Sequence, residues 1–294
     1  MAITAAQVKE LREMTGLGMM ECKQALTETD GDKDAAIELL RKKAGAKVEK
    51  KAGRTAADGV ISIVVNGGNN IAAIVEINTE TDFVAKGDEF KNFASDIAAR
   101  VAADKPTDVE ALKAMPLKDG SDQSISNVLE ELVQKLGEKM DVRRFATIAT
   151  DNTVGSYVHG SKIGVIVELE GGSEELAKDL AMHIAAARPQ FVTPDEVPDE
   201  VKSKEREIFV AQAKESGKPD NIIEKMVDGR LNKFLAEICL TGQPFVKDPD
   251  ITIDKLLNSA GARVVQFVRF EVGEGIEKKQ EDFAAEVMAQ VKGE

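Results

Sequence analysis

The chain has 294 residues, 43% of them hydrophobic, so it can bury sizeable cores, and we expect two or more domains. Its formal net charge of −13 argues against a general nucleic-acid-binding protein, because the average surface repels phosphate. No apolar run approaches the roughly 20 residues of a membrane-spanning helix, and the first residues lack the pattern of a signal peptide. We therefore expect a cytoplasmic protein without a membrane partner.

Residues that could carry catalysis are few. The two histidines, His159 and His183, have no cysteine or carboxylate nearby at metal-ligand spacing, so we interpret both as structural. The two cysteines, Cys22 and Cys239, are far apart, which fits a reducing compartment. The glycine-rich sequences that commonly cradle phosphates do not occur. We expect a protein that is not an enzyme, uses no cofactor or metal and works by binding.

The first forty residues carry the signals of three short helices. Thr4 and Gln7 have the spacing of a capping box, and hydrophobic residues then recur every three or four positions, with breaks at Gly16 and Gly31. These helices predict a compact module. The apolar residues expected to fill it are Val8, Leu11, Met14, Met19, Cys22, Ala25, Leu26, Ala36, Ile37 and Leu40.

Residues 41–54 form a strongly basic run, in which seven lysines and arginines accompany a single acidic residue, Glu49. We expect a solvated linker, because isolated charge runs usually face water. A basic contact with an acidic partner or with RNA is the functional alternative.

Two short β-branched runs follow, at residues 60–65 and 71–78. They are joined by NGGNN, whose residue types tolerate the positive φ angles of a hairpin turn. A helix with one hydrophobic face is expected to follow and to cover this hairpin. That face consists of Phe90, Phe93, Ile97 and Val101.

One strand sequence occurs twice, first as IAAIVE and later as IGVIVE, and an alanine-rich helix follows each copy. This repetition predicts two related subdomains. Eighteen positions separate Glu76 from the helix sequence starting at Ala94, whereas nine separate Glu168 from its counterpart at Ala177. The first copy thus carries nine extra residues, within the sequence NTETDFVAKGDE. A loop placed on a rigid scaffold is a favourable place for a binding element.

The second half of the chain contains a further insertion. Three prolines within residues 189–198 indicate a domain junction, and charged helical stretches at 201–215 and 222–238 predict an antiparallel helical hairpin. Its seam is expected to bring Ile208, Ala211 and Ala213 against Ile223, Met226 and Val227. Residues 263–273 alternate as a half-buried strand that returns to the second sheet, and a final amphipathic helix ends the chain.

Together these elements predict an α+β fold in which small antiparallel sheets are covered by helices. The expected division is residues 1–54 for the three-helix module and basic linker, 55–140 for the first core subdomain, 141–188 with 230–275 for the second, 189–229 for the helical hairpin and 276–294 for the C-terminal helix.

Several motifs resemble those of the bacterial elongation factor Ts family along essentially the whole chain. They are VKELREMTGLGMMECKQAL, AADGV, NTETDFVAK, GSYVHG, TGQPF and RFEVGEGIEK. The resemblance implies an N-terminal module like a ubiquitin-associated domain and a guanine-nucleotide exchange factor that promotes GDP release from elongation factor Tu. It implies no cofactor and no direct contact with nucleic acid.

The resemblance also implies which residues bind the partner. The segment Thr81, Asp82, Phe83 and Val84 matches the one that dislodges Mg²⁺ from the partner's nucleotide site, with Phe83 acting as a wedge. From the residues alone, Phe83 could instead be a core residue and Asp82 the N-terminal cap of a helix.

On the N-terminal module, the resemblance implies that Lys9, Arg12, Met19 and Met20 face the partner's GTP-binding domain. Met19 could instead belong to the core of the module, since it shares a helical stripe with Cys22 and Leu26. The helical hairpin is a possible site of association between copies of the chain.

Two other functions compete with this interpretation. An RNA-binding or chaperone-like translation accessory protein would use the basic run at residues 41–54. An acidic hydrolase would need paired carboxylates, and no spacing in the chain argues for them.

Overall fold

The computed structural model describes residues 3–66, 71–215 and 218–277. The predicted C-terminal helix at 276–294 lies outside these ranges, apart from its first two residues. Within them, no helix combines the length and apolar character that crossing a membrane requires.

The N-terminal module consists of α1 (Ala5–Thr15), α2 (Met19–Glu28) and the first half of α3 (Lys33–Lys51). The predicted capping box is present, because Thr4 N donates to Gln7 Oε1 at 3.0 Å while Gln7 N donates to Thr4 Oγ1 at 3.3 Å. Met14 is 59% exposed, so its predicted place in the core is wrong. The buried core residues are Val8, Leu11, Leu17, Cys22, Ala25, Leu26, Ala36 and Leu40.

The basic run differs from the predicted linker, because α3 continues through it to Lys51. The reason is an apolar stripe at four-residue spacing. Ala36 and Leu40 pack in the module, Ala44 is buried, and Val48 packs against the first sheet's core. Four-residue spacing keeps these side chains on one helical face, so α3 joins the module to the core as a single rigid element.

The first core subdomain is a three-stranded antiparallel sheet in the order β1-β2-β3, covered by helices. The predicted hairpin is confirmed by the pairing of β1 with β2 from Asp58 opposite Thr79 to Asn66 opposite Ile71. The elements follow in the order β1 (Asp58–Asn66), β2 (Ile71–Thr79), α4 (Asp82–Lys86), α5 (Asp88–Asp104), α6 (Val109–Ala114), α7 (Ile125–Leu136) and β3 (Met140–Ala149).

Helix α5 lies against this sheet through the predicted face, since Phe90, Phe93, Ile97 and Val101 are all buried in its core. Strand β3 pairs with β2 and so belongs to the first sheet. The predicted division differs here, because it assigned residues 141–188 to the second subdomain. The repeated motif marked only the central strand of each copy. The third strand pairs with a strand that is distant in sequence, and no repeated motif identifies it.

The second core subdomain repeats this plan, with a sheet in the order β4-β5-β8 and α8 packed on one face. The predicted return of the last strand to this sheet is confirmed by the antiparallel pairing of β8 with β5. The elements are β4 (Thr153–His159), β5 (Ile163–Glu170), α8 (Glu174–Ala187), α9 (Asp199–Lys214), α10 (Asp220–Ile238), β6 (Pro244–Phe245), β7 (Asp248–Thr252), α11 (Ile253–Ala260) and β8 (Arg263–Glu271).

The duplication is therefore visible in three dimensions: IAAIVE forms β2 and IGVIVE forms β5, each the central strand of its sheet. The two sheets pack face to face. Their shared core is built from Ile61, Ala72, Ile74, Ile148, Ile166 and Phe270. Helices α5 and α8 cover the outer faces, so the repeat forms one layered scaffold.

The helical hairpin has a small core of its own, in which Phe209 and Val210 pack around buried Ala213, Ile223 and Val227. The predicted contribution of Ile208 and Ala211 to the seam is wrong, because both side chains are exposed. At its base the hairpin is closed by backbone hydrogen bonds. Among them, Gln190 N donates to Ile238 O at 2.8 Å.

Candidate functional site

The nine-residue extension of the first repeat folds into α4, a helix of five residues between β2 and α5. Thr81 is its N-terminal cap, with Oγ1 accepting a hydrogen bond from Val84 N at 3.5 Å. The alternative that Asp82 caps this helix is wrong, since Asp82 is its first helical residue. Asp82 instead pairs with Lys86 at 2.5 Å, one turn further along.

Phe83 is the most exposed large hydrophobic residue of the described chain, at 84%. The alternative that it fills the core is therefore wrong. Its neighbours explain the orientation of the ring. Ala85 is buried and Val84 packs against the core of the first sheet, which turns the opposite face of α4, and with it Phe83, toward solvent.

The hydrogen bond from Lys86 lowers the pKa of Asp82, so this carboxylate is ionised at neutral pH. The predicted site residues Asp82 and Phe83 thus lie side by side on an exposed helix, one negatively charged and one aromatic. Such a pair can make a directed polar contact and insert an apolar wedge at the same place.

The segment before α4 lies beside the turn that leads into β3. Glu138 accepts hydrogen bonds from Thr79 Oγ1 at 2.7 Å and from Thr81 N at 3.0 Å. In the opposite direction, Glu80 accepts one from Lys139 N at 2.5 Å. Sequence reasoning missed Glu138 and Lys139, because almost sixty positions separate them from the residues they hold.

The predicted contact residues of the N-terminal module are also at the surface. Lys9 and Arg12 are exposed on α1, three positions apart and hence on one face. Met20 is 76% exposed and Met19 is 42% exposed. Met19 lies outside the buried cluster of the module, so the interpretation that it belongs to that core is wrong.

A side chain of α7 connects the two predicted surfaces. Lys135 lies against the turn before α2, where a Cβ added at Gly16 would be 2.7 Å from its Cε. The same lysine forms an ion pair with Glu89 at 2.7 Å, at the start of α5. The turn that precedes Met19 is therefore held next to the helix that follows α4.

The buried histidine of α8 serves the fold. His183 is buried between Gln243 Oε1, 3.0 Å from Nε2, and Val246 N, which donates to Nδ1 at 3.2 Å. Burial lowers the pKa of this histidine, which keeps the ring neutral and agrees with the predicted structural role. In the described part of the chain, no group of histidines, cysteines and carboxylates could hold a metal ion.

Fold and site together define an α+β protein in which a helical module and a duplicated sheet scaffold present one exposed aromatic ring on a short helix. The family model described as elongation factor TS matches residues 80–274. The chain is 59% identical to the elongation factor Ts of Thioalkalivibrio sulfidiphilus across the whole of both chains. It is 58% identical to that of Methylococcus capsulatus, across 99% of each chain.

The elongation factor Ts of Alkalilimnicola ehrlichii is 57% identical, again over both complete chains. The protein belongs to the elongation factor Ts family. The resemblance noted in its motifs is thereby confirmed, and with it a place among the factors of protein biosynthesis.

Proposed function

We propose that the protein is a guanine-nucleotide exchange factor that binds elongation factor Tu in its GDP form, promotes GDP release and allows GTP to rebind during translation elongation in the cytoplasm. Membership of the elongation factor Ts family supports the partner and the reaction. The observation that carries the proposal is Phe83, an aromatic ring 84% exposed on a helix that the second repeat lacks.

The proposed mechanism is mechanical and electrostatic. A GTPase holds its nucleotide through Mg²⁺ and through backbone N–H groups around the phosphates. Phe83 enters a groove of the partner and shifts the elements that position these groups, which weakens the magnesium and phosphate contacts together. Burying a phenylalanine ring contributes roughly 1.5–3 kcal/mol, enough to stabilise an opened partner without a bond to the nucleotide.

Residues around Phe83 have distinct roles in this mechanism. The Asp82 carboxylate binds polar groups at the mouth of the groove and orients the ring. Thr81 starts the helix and Val84 anchors it to the core, so that the ring approaches the partner at a defined angle. A wedge that is ordered before binding loses less conformational entropy on association.

The N-terminal module provides a second contact with the GTP-binding domain of the partner. Lys9 and Arg12 supply positive charge, whereas Met19 and Met20 supply flexible apolar surface that adapts to the shape of a neighbour. Binding here holds the partner while Phe83 acts. By thermodynamic linkage, the factor by which this protein prefers the nucleotide-free partner over the nucleotide-bound one equals the factor by which it weakens the partner's affinity for nucleotide.

Neighbouring carboxylates count against the RNA-binding alternative. Within the basic run, Arg41 pairs with Glu131 and Lys43 with Glu28, at 3.3 and 2.7 Å. Arg54 faces Glu80 at 3.4 Å. These carboxylates lower the local positive potential on which binding of an RNA backbone depends.

Release of labelled GDP from elongation factor Tu tests the proposal directly. We expect release to accelerate with the concentration of this protein and to reach a plateau when the partner is saturated. Absence of acceleration over the range in which the two proteins bind would contradict the proposed function.

A further inference from the structure

The carboxylate of Glu138 accepts three hydrogen bonds from the segment that leads into α4. Its Oε2 accepts hydrogen bonds from Thr79 Oγ1 and Thr81 N, and its Oε1 accepts one from Thr81 Oγ1 at 2.5 Å. Glu138 lies in the short connection between α7 and β3. One side chain outside the wedge segment therefore holds both the end of β2 and the cap of α4.

The third of these bonds controls the cap itself. A threonine hydroxyl has one hydrogen to donate and lone pairs with which to accept. Donation of the Thr81 hydroxyl hydrogen to Glu138 orients this oxygen so that a lone pair accepts from Val84 N, 3.5 Å away and at the long end of hydrogen-bond distances. Glu138 thus selects the hydroxyl orientation that starts the helix.

The position of Phe83 depends strongly on this start. Isolated helices much longer than the five residues of α4 are already marginal in water, so its ends decide where it lies. The exposed ring of Phe83 makes too little contact with its own chain to hold itself. At the other end, Ala85 is buried against the scaffold, and Gly87 N donates to Val84 O at 3.0 Å, which closes the last turn of the helix.

A reciprocal bond strengthens the attachment. Glu80, between the two threonines, accepts a hydrogen bond from Lys139 N, next to Glu138. Each of the two adjoining turns thus supplies a carboxylate that binds a backbone N–H of the other. Hydrogen bonds to charged acceptors are stronger than neutral ones, so this double connection is stiff.

We propose that Glu138 is a positioning residue for exchange: it does not need to touch the partner, and it acts by holding α4 so that Phe83 enters the partner's groove at a productive angle. This inference rests on the proposed function, in which Phe83 is the wedge.

A double-mutant cycle with Phe83 tests the inference. We expect Glu138→Ala to lower the maximal rate of GDP release about tenfold, since lost hydrogen bonds to a charged acceptor shift an equilibrium by that order. The concentration that gives half the maximal rate should change little, because the N-terminal module still binds. In a Phe83→Ala background, Glu138→Ala should have little further effect. The inference would be overturned if Glu138→Ala lowered the maximal rate of GDP release by the same factor with and without Phe83. It would also be overturned if Glu138→Ala left that rate unchanged in the chain that keeps Phe83.

Amide hydrogen exchange on the free protein provides a second readout that does not involve the partner. We expect the Val84 amide to exchange faster in Glu138→Ala than in the parent chain. The matched control is Asp141→Ala, which removes a carboxylate three residues away that pairs with Lys113 at 2.8 Å. An unchanged exchange rate of the Val84 amide in Glu138→Ala, or an equal increase of that rate in Asp141→Ala, would contradict the positioning role. Because this measurement does not involve the partner, its outcome is independent of whether the protein accelerates GDP release.

If Glu138→Ala does not fold, Glu138→Gln replaces it in both measurements. The glutamine keeps one oxygen for Thr79 Oγ1 and Thr81 N, but its amide nitrogen cannot accept the Thr81 hydroxyl hydrogen. We expect a smaller loss of exchange rate with the same dependence on Phe83. Full activity together with unchanged Val84 protection would overturn the inference.

Discussion

Glu76 and Glu168 occupy the same position in the two copies of the repeated strand, and each is a buried carboxylate opposite a β-bulge in the neighbouring strand. The bulge in β3 places two consecutive arginines beside Glu76, with Arg143 at 2.9 Å and Arg144 at 2.6 Å. Glu168 is held by neutral groups instead. Its partners are Thr150, Asn152 and Gln266.

This relationship ties the two sheets together. Glu76 of the first sheet also accepts a hydrogen bond from Gly273 N at 2.8 Å, just after β8 of the second. Glu168 of the second sheet reaches Thr150, just after β3 of the first. Each carboxylate therefore bonds to its own sheet and to the chain that leaves the other sheet, and we expect both to stabilise the packed core.

The first prediction concerns Glu76 and pH. Burial raises the pKa of this carboxyl, but hydrogen bonds outweigh burial and leave its pKa below the ordinary value. A carboxylate whose pKa is lower in the folded state stabilises the protein above its unfolded pKa, about 4.3, and loses that contribution as pH falls. We therefore expect the unfolding temperature to decrease when the pH is lowered below about 4.3. The donors of those hydrogen bonds are Gly273 N, Arg143, Arg144 and Asn78.

Glu76→Gln isolates this contribution. The variant should unfold more readily at pH 7, by about 3 kcal/mol, the lower end of the range for breaking a buried ion pair, because both arginines still reach water. Its unfolding temperature should depend less on pH between 5 and 3 than that of the parent chain. Parallel pH profiles for the two proteins would contradict the assignment.

The second prediction tests the close approach of the two sheets at Gly164. A Cβ there would clash with Ile61 Cγ2 and lie 3.1 Å from Ile74 Cδ1. Gly164→Ala should therefore destabilise the fold by about 1–3 kcal/mol through overpacking, and the same substitution should cost less in an Ile61→Ala background, where the clashing methyl group is absent.

Gly229→Ala is the matched control for this substitution. Gly229 lies inside α10, and a Cβ added there would meet no atom of the described chain within 4 Å beyond the adjacent residues and the backbone of its own helix. Alanine should stabilise this helix by about 0.5–1 kcal/mol. Chemical denaturation of the parent chain, Gly164→Ala and Gly229→Ala should show a loss of stability for the first substitution and a gain for the second. A destabilising effect at Gly229 equal to that at Gly164 would refute the packing argument.

The third prediction separates the fold from the proposed wedge. Phe83→Ala should change the free energy of unfolding by less than about 0.5 kcal/mol, because the ring is at the surface. It should remove most of the acceleration of GDP release. Phe90→Ala, in the same region but fully buried, should instead cost about 3–5 kcal/mol. Thermal unfolding and GDP release measured on both variants decide the matter, and normal release by folded Phe83→Ala would exclude the wedge.

The fourth prediction concerns the helical hairpin, whose core is made of its own residues. Residues 189–229, the range that the sequence indicated, would cut α10 in its middle. Replacing residues 199–234 with a short glycine-serine linker keeps the closed base, where Leu240 N donates to Phe191 O at 2.9 Å. We expect the shortened protein to fold and to accelerate GDP release nearly as well as the full chain.

Association between copies through the hairpin stays a prediction, and the same variant tests it. If the prediction is correct, light scattering will show a concentration-dependent mass for the full chain and a monomer mass for the shortened one. Complete loss of exchange by the folded variant would place the hairpin in the exchange mechanism.

Local patterns in the sequence determined much of this protein. The hairpin of β1 and β2 follows from two β-branched runs around a turn, and the buried face of α5 from the three- and four-residue spacing of Phe90, Phe93 and Ile97. The duplication was readable because the two copies of the central strand, IAAIVE and IGVIVE, share four of six residues. These features depend on neighbours within one helix or hairpin, where periodicity and turn chemistry are sufficient.

Only the tertiary structure decided how distant segments meet. The motif NTETDFVAK indicated the candidate site, but the exposure of Phe83 depends on Val84 and Ala85 packing on the first sheet. The hydrogen bonds of Glu138 to Thr81, and the two arginines beside Glu76, join residues almost sixty or more positions apart. Such contacts arise from strand pairing and bulges, whose partners are chosen by the packing of the whole core and leave no periodic trace in the chain.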